Sequence, residues 1–118
     1  MMSRELDATI AEALGYSLAE SASEPVMDRS KSEFMSQLER VPYYSTDGNA
    51  MLELDKEMQE QGWKLGLSYV ANNKWVAVYV VMRNLEVDYT TDAIADTEPF
   101  ARALSAYKAL TGKEWEGE

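Results

Sequence analysis

The chain has 118 residues and a formal net charge of -10, from 21 acidic and 11 basic side chains, and it holds neither cysteine nor histidine. Without cysteine there is no disulfide framework and no thiolate metal site, and without histidine the usual general base near neutral pH and the commonest metal ligand are both missing. The acidity repels nucleic-acid phosphates and anionic bilayers at long range, which argues against non-specific nucleic-acid binding and against a membrane surface as partner.

With 46% hydrophobic residues, a single domain of this length buries roughly 65% of the surface its unfolded chain exposes and needs no covalent staple. Arg4, Glu5, Asp7, Glu12 and Glu20 interrupt any signal-peptide core, and the apolar run from Trp75 to Met82 is too short to span a bilayer. A soluble, cytoplasmic protein is expected.

In chain order, residues 4–14 read as a helix. Leu6, Ile10 and Leu14 recur at four-residue spacing, Ser3 stands where an N-cap belongs, and Gly15 where a helix stops. Residues 17–29 are small, acidic and broken by Pro25, the composition of a loop or weak helix. Ser30 and Glu33 match a capping box, and Phe34, Met35 and Leu38 share a face, so a short helix over 31–39 is expected. Residues 47–61 give the clearest helix, with Met51, Leu52, Leu54 and Met58 as its apolar stripe. Glu53, Asp55, Lys56, Glu57 and Glu60 are expected to face water, and Gly62 ends the element.

Trp63, Leu65, Leu67 and Tyr69 then alternate as a half-buried strand. Asn72-Asn73 can take the positive φ angles of a tight turn into a second strand, Trp75 to Met82, which is apolar almost throughout. Leu85, Val87 and Tyr89 suggest a third strand. Phe100, Ala103, Leu104, Tyr107 and Leu110 mark a long amphipathic helix ending at Gly112. A doubly apolar strand in an antiparallel sheet implies cover on both faces. The predicted fold is therefore α+β, a three-layer α-β-α sandwich with a small antiparallel sheet between helices. It comprises one domain over 1–112, with a variable insert at about 17–40, followed by an acidic tail over 113–118 in which Trp115 either docks back on the sheet, the favoured reading, or serves a partner.

Several of these segments carry a resemblance. The stretch Leu6-Asp7-Ala8-Thr9-Ile10-Ala11-Glu12-Ala13-Leu14-Gly15-Tyr16 comes first, then Val41-Pro42-Tyr43-Tyr44-Ser45-Thr46-Asp47, Gly62-Trp63, Trp75-Val76-Ala77 and finally Ala95 to Leu104. In this order they resemble the phage ABA sandwich domain, a small bacteriophage and prophage family. The tryptophan that usually follows the central signature is replaced here by the region of Met51 and Leu52. The resemblance implies a phage accessory protein acting in the cytoplasm of an infected host, a class that includes inhibitors of host defence.

Two turn-to-helix junctions hold the candidate site, Val41 to Asp47 and Ala95 to Ala103. A helix start presents unpaired amides and a positive dipole end, which suits an anion. Tyr43 and Tyr44 can stack on a base, Ser45, Thr46, Asp47 and Thr97 offer polar contacts, and Arg102 can supply a counter-charge. Arg40 and Arg83 are further cations, and ordinary helix capping accounts for the same serines, threonines and aspartates. Asp88, Asp92 and Asp96 recur at four-residue spacing and could hold magnesium or calcium, but they lack the glycine-bearing calcium-loop pattern.

The expectation is a non-catalytic binding protein without cofactor or metal. It would sequester a small anionic ligand, such as a cyclic or modified nucleotide, at a homo-oligomer interface. The alternatives are an acidic protein-binding inhibitor of a host enzyme, or a phage regulatory or structural protein with no small ligand.

Overall fold

The computed structural model describes residues 3–19, 26–28, 38–83 and 86–115. Three helices and two antiparallel sheets make an α+β fold, the class the sequence pattern predicts. In order the elements are α1 (Ser3–Ala13), β1 (Ser17–Ala19), β2 (Val26–Asp28), β3 (Leu38–Arg40), α2 (Gly48–Glu60), β4 (Lys64–Ala71), β5 (Lys74–Arg83), β6 (Glu86–Ala95) and α3 (Glu98–Thr111).

The insert departs from expectation. Ser17–Ala19 and Val26–Asp28 are strands rather than loop or helix, paired antiparallel with Leu18 opposite Met27. Leu38–Arg40 is the third strand of that sheet, so the end of the helix expected over 31–39 is extended instead; residues 31–37 lie outside the described residues. The short strands carry too few residues for period-two alternation to show, and at their centre Met27 is fully buried.

The larger sheet has strand order β4-β5-β6. Asn72 and Asn73 take φ of 52° and 64°, so the hairpin turn is the one the dipeptide predicts. The pairing sets Ala77 against Ser68 and Ala93, and Tyr79 against Leu65 and Thr91. A bulge in β4 falls between Leu65 and Leu67, where a Cβ on Gly66 would come within 3.1 Å of Val80 Cγ1. The third strand runs to Ala95, well past Tyr89.

Alternation puts Ala77, Tyr79 and Thr91 on the face packed by α3, and all three are buried. Thr91 Oγ1 donates to the Ser105 carbonyl at 3.0 Å and Ser105 Oγ to the Thr91 carbonyl at 2.9 Å, which locks α3 to β6. Small residues Ala101, Ala103, Ser105 and Ala106 let the helix approach closely. On the opposite face Val76 is 9% exposed between its cross-strand neighbours Tyr69 and Ile94, which are 45% and 60% exposed. Those neighbours shield Val76, while Val78 and Val80 on the same face are half-buried.

The core gathers Leu6 and Ile10 of the first helix and Leu14 just past its end with Val41, Tyr44, Leu54, Met58, Tyr79 and Ala103. On α2 the expected stripe is corrected at three places. Leu52 is 58% exposed and Glu57 only 9% exposed, while the Asp55 side chain is 14% exposed. Both carboxylates are held inside by tyrosine hydroxyls, from Tyr79 to Asp55 and from Tyr16 to Glu57. The last described residues fold back, but onto helix α3 rather than the sheet face, with Trp115 edge-on to Tyr107 at a centroid separation of 5.3 Å.

Candidate functional site

The first junction is used for folding. Val41, Tyr44 and Ser45 are fully buried. Asp7 of α1, itself without exposure, accepts the Ser45 amide at 2.9 Å through Oδ1 and the Arg4 guanidinium at 2.9 Å through Oδ2. Arg4 continues to the carbonyls of Val41 at 2.8 Å and Pro42 at 3.2 Å. Its guanidinium lies 3.7 Å from the centre of the Tyr43 ring, a cation–π contact on a ring only 37% exposed. Burial pushes the Asp7 carboxyl above the usual aspartate range, against the pull of its bonds to Ser45 and Arg4.

The tyrosines of this segment are therefore placed otherwise than a stacking platform requires. Tyr44 is part of the core and Tyr43 is occupied by Arg4. Thr46 and Asp47 remain at the surface, and Asp47 caps α2 by accepting the Asn49 amide at 3.4 Å. Arg40 is exposed on β3.

Arg102 does not reach this loop. It pairs with Asp55 of α2 and, at 2.6 Å, with Glu98 one turn earlier in its own helix. Asp55 lies about 12 Å along α2 from Asp47. Glu98 also accepts the Ser68 hydroxyl at 2.8 Å and Asp55 accepts the Tyr79 hydroxyl. Burial raises the Asp55 pKa, opposed by the Tyr79 hydroxyl and the Arg102 charge. Burial also raises Tyr79, and the neighbouring Asp55 carboxylate raises it further. Tyr79 is thus a fixed hydrogen-bond donor, and Arg102 already has two carboxylate partners, so its expected service to an anion is spent within the fold.

The second junction is open. Thr97 caps α3 by accepting the Phe100 amide at 3.4 Å, with Pro99 in the first turn. Beside it is a pocket of about 370 Å³ lined by Lys74, Ile94, Ala95, Asp96, Thr97, Phe100 and Leu104. The β5–β6 register, Trp75 opposite Ala95, brings the hairpin tip to the start of α3, and there Lys74 pairs with Asp96. That ion pair is exposed, 52% and 80% by side chain, so it is screened and easily exchanged. A smaller recess of about 130 Å³ continues along α3 past Ile94 and Leu104 to Asp92, Lys108, Glu114 and Trp115. Lys108 spans Glu114 at 2.8 Å and Asp92 at 4.0 Å.

Of the expected site residues, only Thr97 lines this pocket. Lys74, Ile94, Phe100 and Leu104 were not foreseen as its walls. The signal lay in the strand register, since extending the third strand to Ala95 sets Asp96 beside the hairpin tip that Asn72-Asn73 already announced. Asp92 and Asp96, weighed as metal ligands, are each paired with a lysine instead.

Comparison of the chain with protein-family profiles, characterised proteins and solved structures returns no match, and the motif resemblance gains no support from it. Among the described residues, no helix is long and apolar enough to cross a membrane.

Proposed function

We propose that this protein is a non-catalytic binding protein that takes a small molecule out of solution, with the pocket at the start of α3 as its seat. The observation that carries the reading is the pocket itself. Its volume of about 370 Å³ falls within the roughly 300–1,000 Å³ range of ligand sites. Its walls suit a molecule with a flat, largely apolar body and one anionic group. Phe100, Leu104 and Ile94 take the body, and Lys74 exchanges Asp96 for the ligand's charge. Of a nucleotide, the face of the base and one phosphate would engage these walls, with the polar base edges and the sugar turned to water. Sequestration of a host signalling nucleotide in a phage-infected cell is the biological form that the motif resemblance implies for the same proposal.

Native mass spectrometry against an extract of cells with activated defence signals tests it. The expected result is one discrete adduct, released unchanged on denaturation, with occupancy reduced about tenfold by Lys74→Ala, which removes one charge-assisted contact. Unliganded protein in every extract, or an adduct untouched by both Lys74→Ala and Phe100→Ala, overturns it.

A second reading rests on a separate observation. From the end of β6 into the turn before α3 the outward residues alternate acid, apolar, acid, with Asp92 67%, Ile94 60% and Asp96 80% exposed. This strip suits an acidic inhibitor docking on a basic host protein through a salt-sensitive contact. A co-purifying polypeptide that dissociates at high salt, in place of a small adduct, would establish it.

A further inference from the structure

The larger sheet carries its helices on one side. Both α2 and α3 meet it on the face of Tyr79 and Thr91. On the other face the strand register lays residues out in rows. Tyr69, Val76 and Ile94 form one row across the three strands, Leu67, Val78 and Asp92 the next, and Lys64, Val80 and Thr90 the third. Tyr69 and Ile94 are exposed, Ile94 more than any other large apolar side chain among the described residues. At the bulge, Gly66 puts no side chain beside Val80, which keeps that end of the face flat.

Charge divides the same face from side to side. Lys64 stands exposed on β4 and Asp92 on β6, two strand spacings or about 10 Å away. Asp96 extends the acidic side just past the end of β6. Within its own chain Asp92 meets Lys108 at 4.0 Å, too long for a hydrogen bond, so the carboxylate keeps acceptor capacity for another cation.

These signs select the occupant. A basic protein would meet Asp92 and Asp96 but be repelled by Lys64 and Lys74 beside them, whereas a second copy of the chain carries both signs in the same pattern. Two symmetric face-to-face arrangements exist. A two-fold axis across the strands stacks β6 on β6, acid against acid. An axis along β5 lays β4 of one copy over β6 of the other, so that opposite charges meet. Tyr69 of one copy then covers Ile94 of the other, and Val76 meets its own counterpart. Lys64 and Asp92 lie one row apart on sheets about 10 Å distant, a Cα separation of about 12 Å that their two side chains span.

We propose that two copies of this chain dock through this face, β4 of each over β6 of the other. Three strands over the eight residues of β4 project roughly 400 Å² per copy. A standard interface takes about 800 Å² from each partner, so the expected dimer is micromolar rather than obligate.

Sedimentation velocity of the whole chain, from about 1 to 500 µM, tests the docking. The expected result is a monomer–dimer equilibrium that Tyr69→Ser and Lys64→Glu each weaken about tenfold. The double variant Lys64→Glu/Asp92→Lys exchanges the two signs and restores the affinity to within about threefold of the original, a rescue that a loss of folding would not show. Tyr69 and Lys64 lie outside the α3 pocket, so this proposal can fail while the reading of that pocket stands. A monomer at every concentration overturns it, including one whose sheet face is taken up by an added basic protein. So does a dimer indifferent to Tyr69→Ser, or a double variant no tighter than Lys64→Glu alone.

Discussion

The two turn-to-helix junctions are alike in sequence and opposite in use. Each begins a helix with a hydroxyl or carboxylate cap and carries an aromatic within a few residues. At the first, Arg4 and Asp7 reach across from α1 and draw the loop inward until Tyr44 and Ser45 lose all exposure. At the second, among the described residues, no side chain of another element is bonded to Thr97, and Phe100 and Lys74 border the pocket. Capping chemistry is therefore neutral about function. What separates a structural junction from an available one is whether a partner element supplies charges that consume it.

Four measurements sharpen that contrast. Tyr44→Ala should cost about 3–5 kcal/mol of stability, the usual loss for deleting a buried aromatic, read from denaturant unfolding. A loss below about 1 kcal/mol would mean that the first junction is looser than its burial indicates. Asp7→Ala strands the Ser45 amide and a partly buried arginine, so a loss of about 3 kcal/mol is expected. It should also free Tyr43, detectable as increased iodide quenching of tyrosine emission.

The pH dependence comes next. Asp7 and Asp55 have raised pKa values because burial disfavours their charged forms. Between the ordinary value of 3.8 and their folded values the native state therefore binds more protons than the unfolded one. Their contribution to stability is full below that ordinary value and declines as pH rises through the folded values. Thermal unfolding should show this fall in Tm with rising pH, reduced in Asp55→Asn. A Tm that climbs over the same interval would contradict the burial of both groups. The smallest effect belongs to the second junction. Lys74→Ala breaks only an exposed pair and should change stability by no more than about 0.5 kcal/mol, while lowering ligand occupancy as described above.

Much of the fold was legible because its signals were long. Thirteen residues of α2, the Asn-Asn turn and the α3 periodicity each repeat a pattern often enough to stand out. The small sheet was not, since three-residue strands offer no period and pair only through distant partners. The site was legible in part for a different reason. Sequence ranks Tyr43, Tyr44 and Arg102 as ligand-binding types, yet Arg4, Asp7, Asp55 and Glu98 occupy all three or enclose them in the core. Those partners lie 37 to 47 positions away for the long-range contacts, beyond any local motif. Glu57 was hidden by a similar cause: it sits among surface-type residues, and only the Tyr16 hydroxyl shows that its side faces inward.

The link from Ser68 through Glu98 and Arg102 to Asp55 and Tyr79 has a consequence for how narrowly the native arrangement is specified. Alanines and methionines fill much of the space between helices and sheet, and such side chains tolerate sliding because methionine reshapes to fit. A polar chain across β4, α3, α2 and β5 does not. Shifting α2 by one turn, about 5.4 Å, would carry Asp55 away from both Tyr79 and Arg102, stranding the Tyr79 hydroxyl and the Asp55 carboxylate and leaving Arg102 with Glu98 alone. The chain therefore works as an indexing pin, admitting one rotation and one height of α2 where greasy packing alone would admit several.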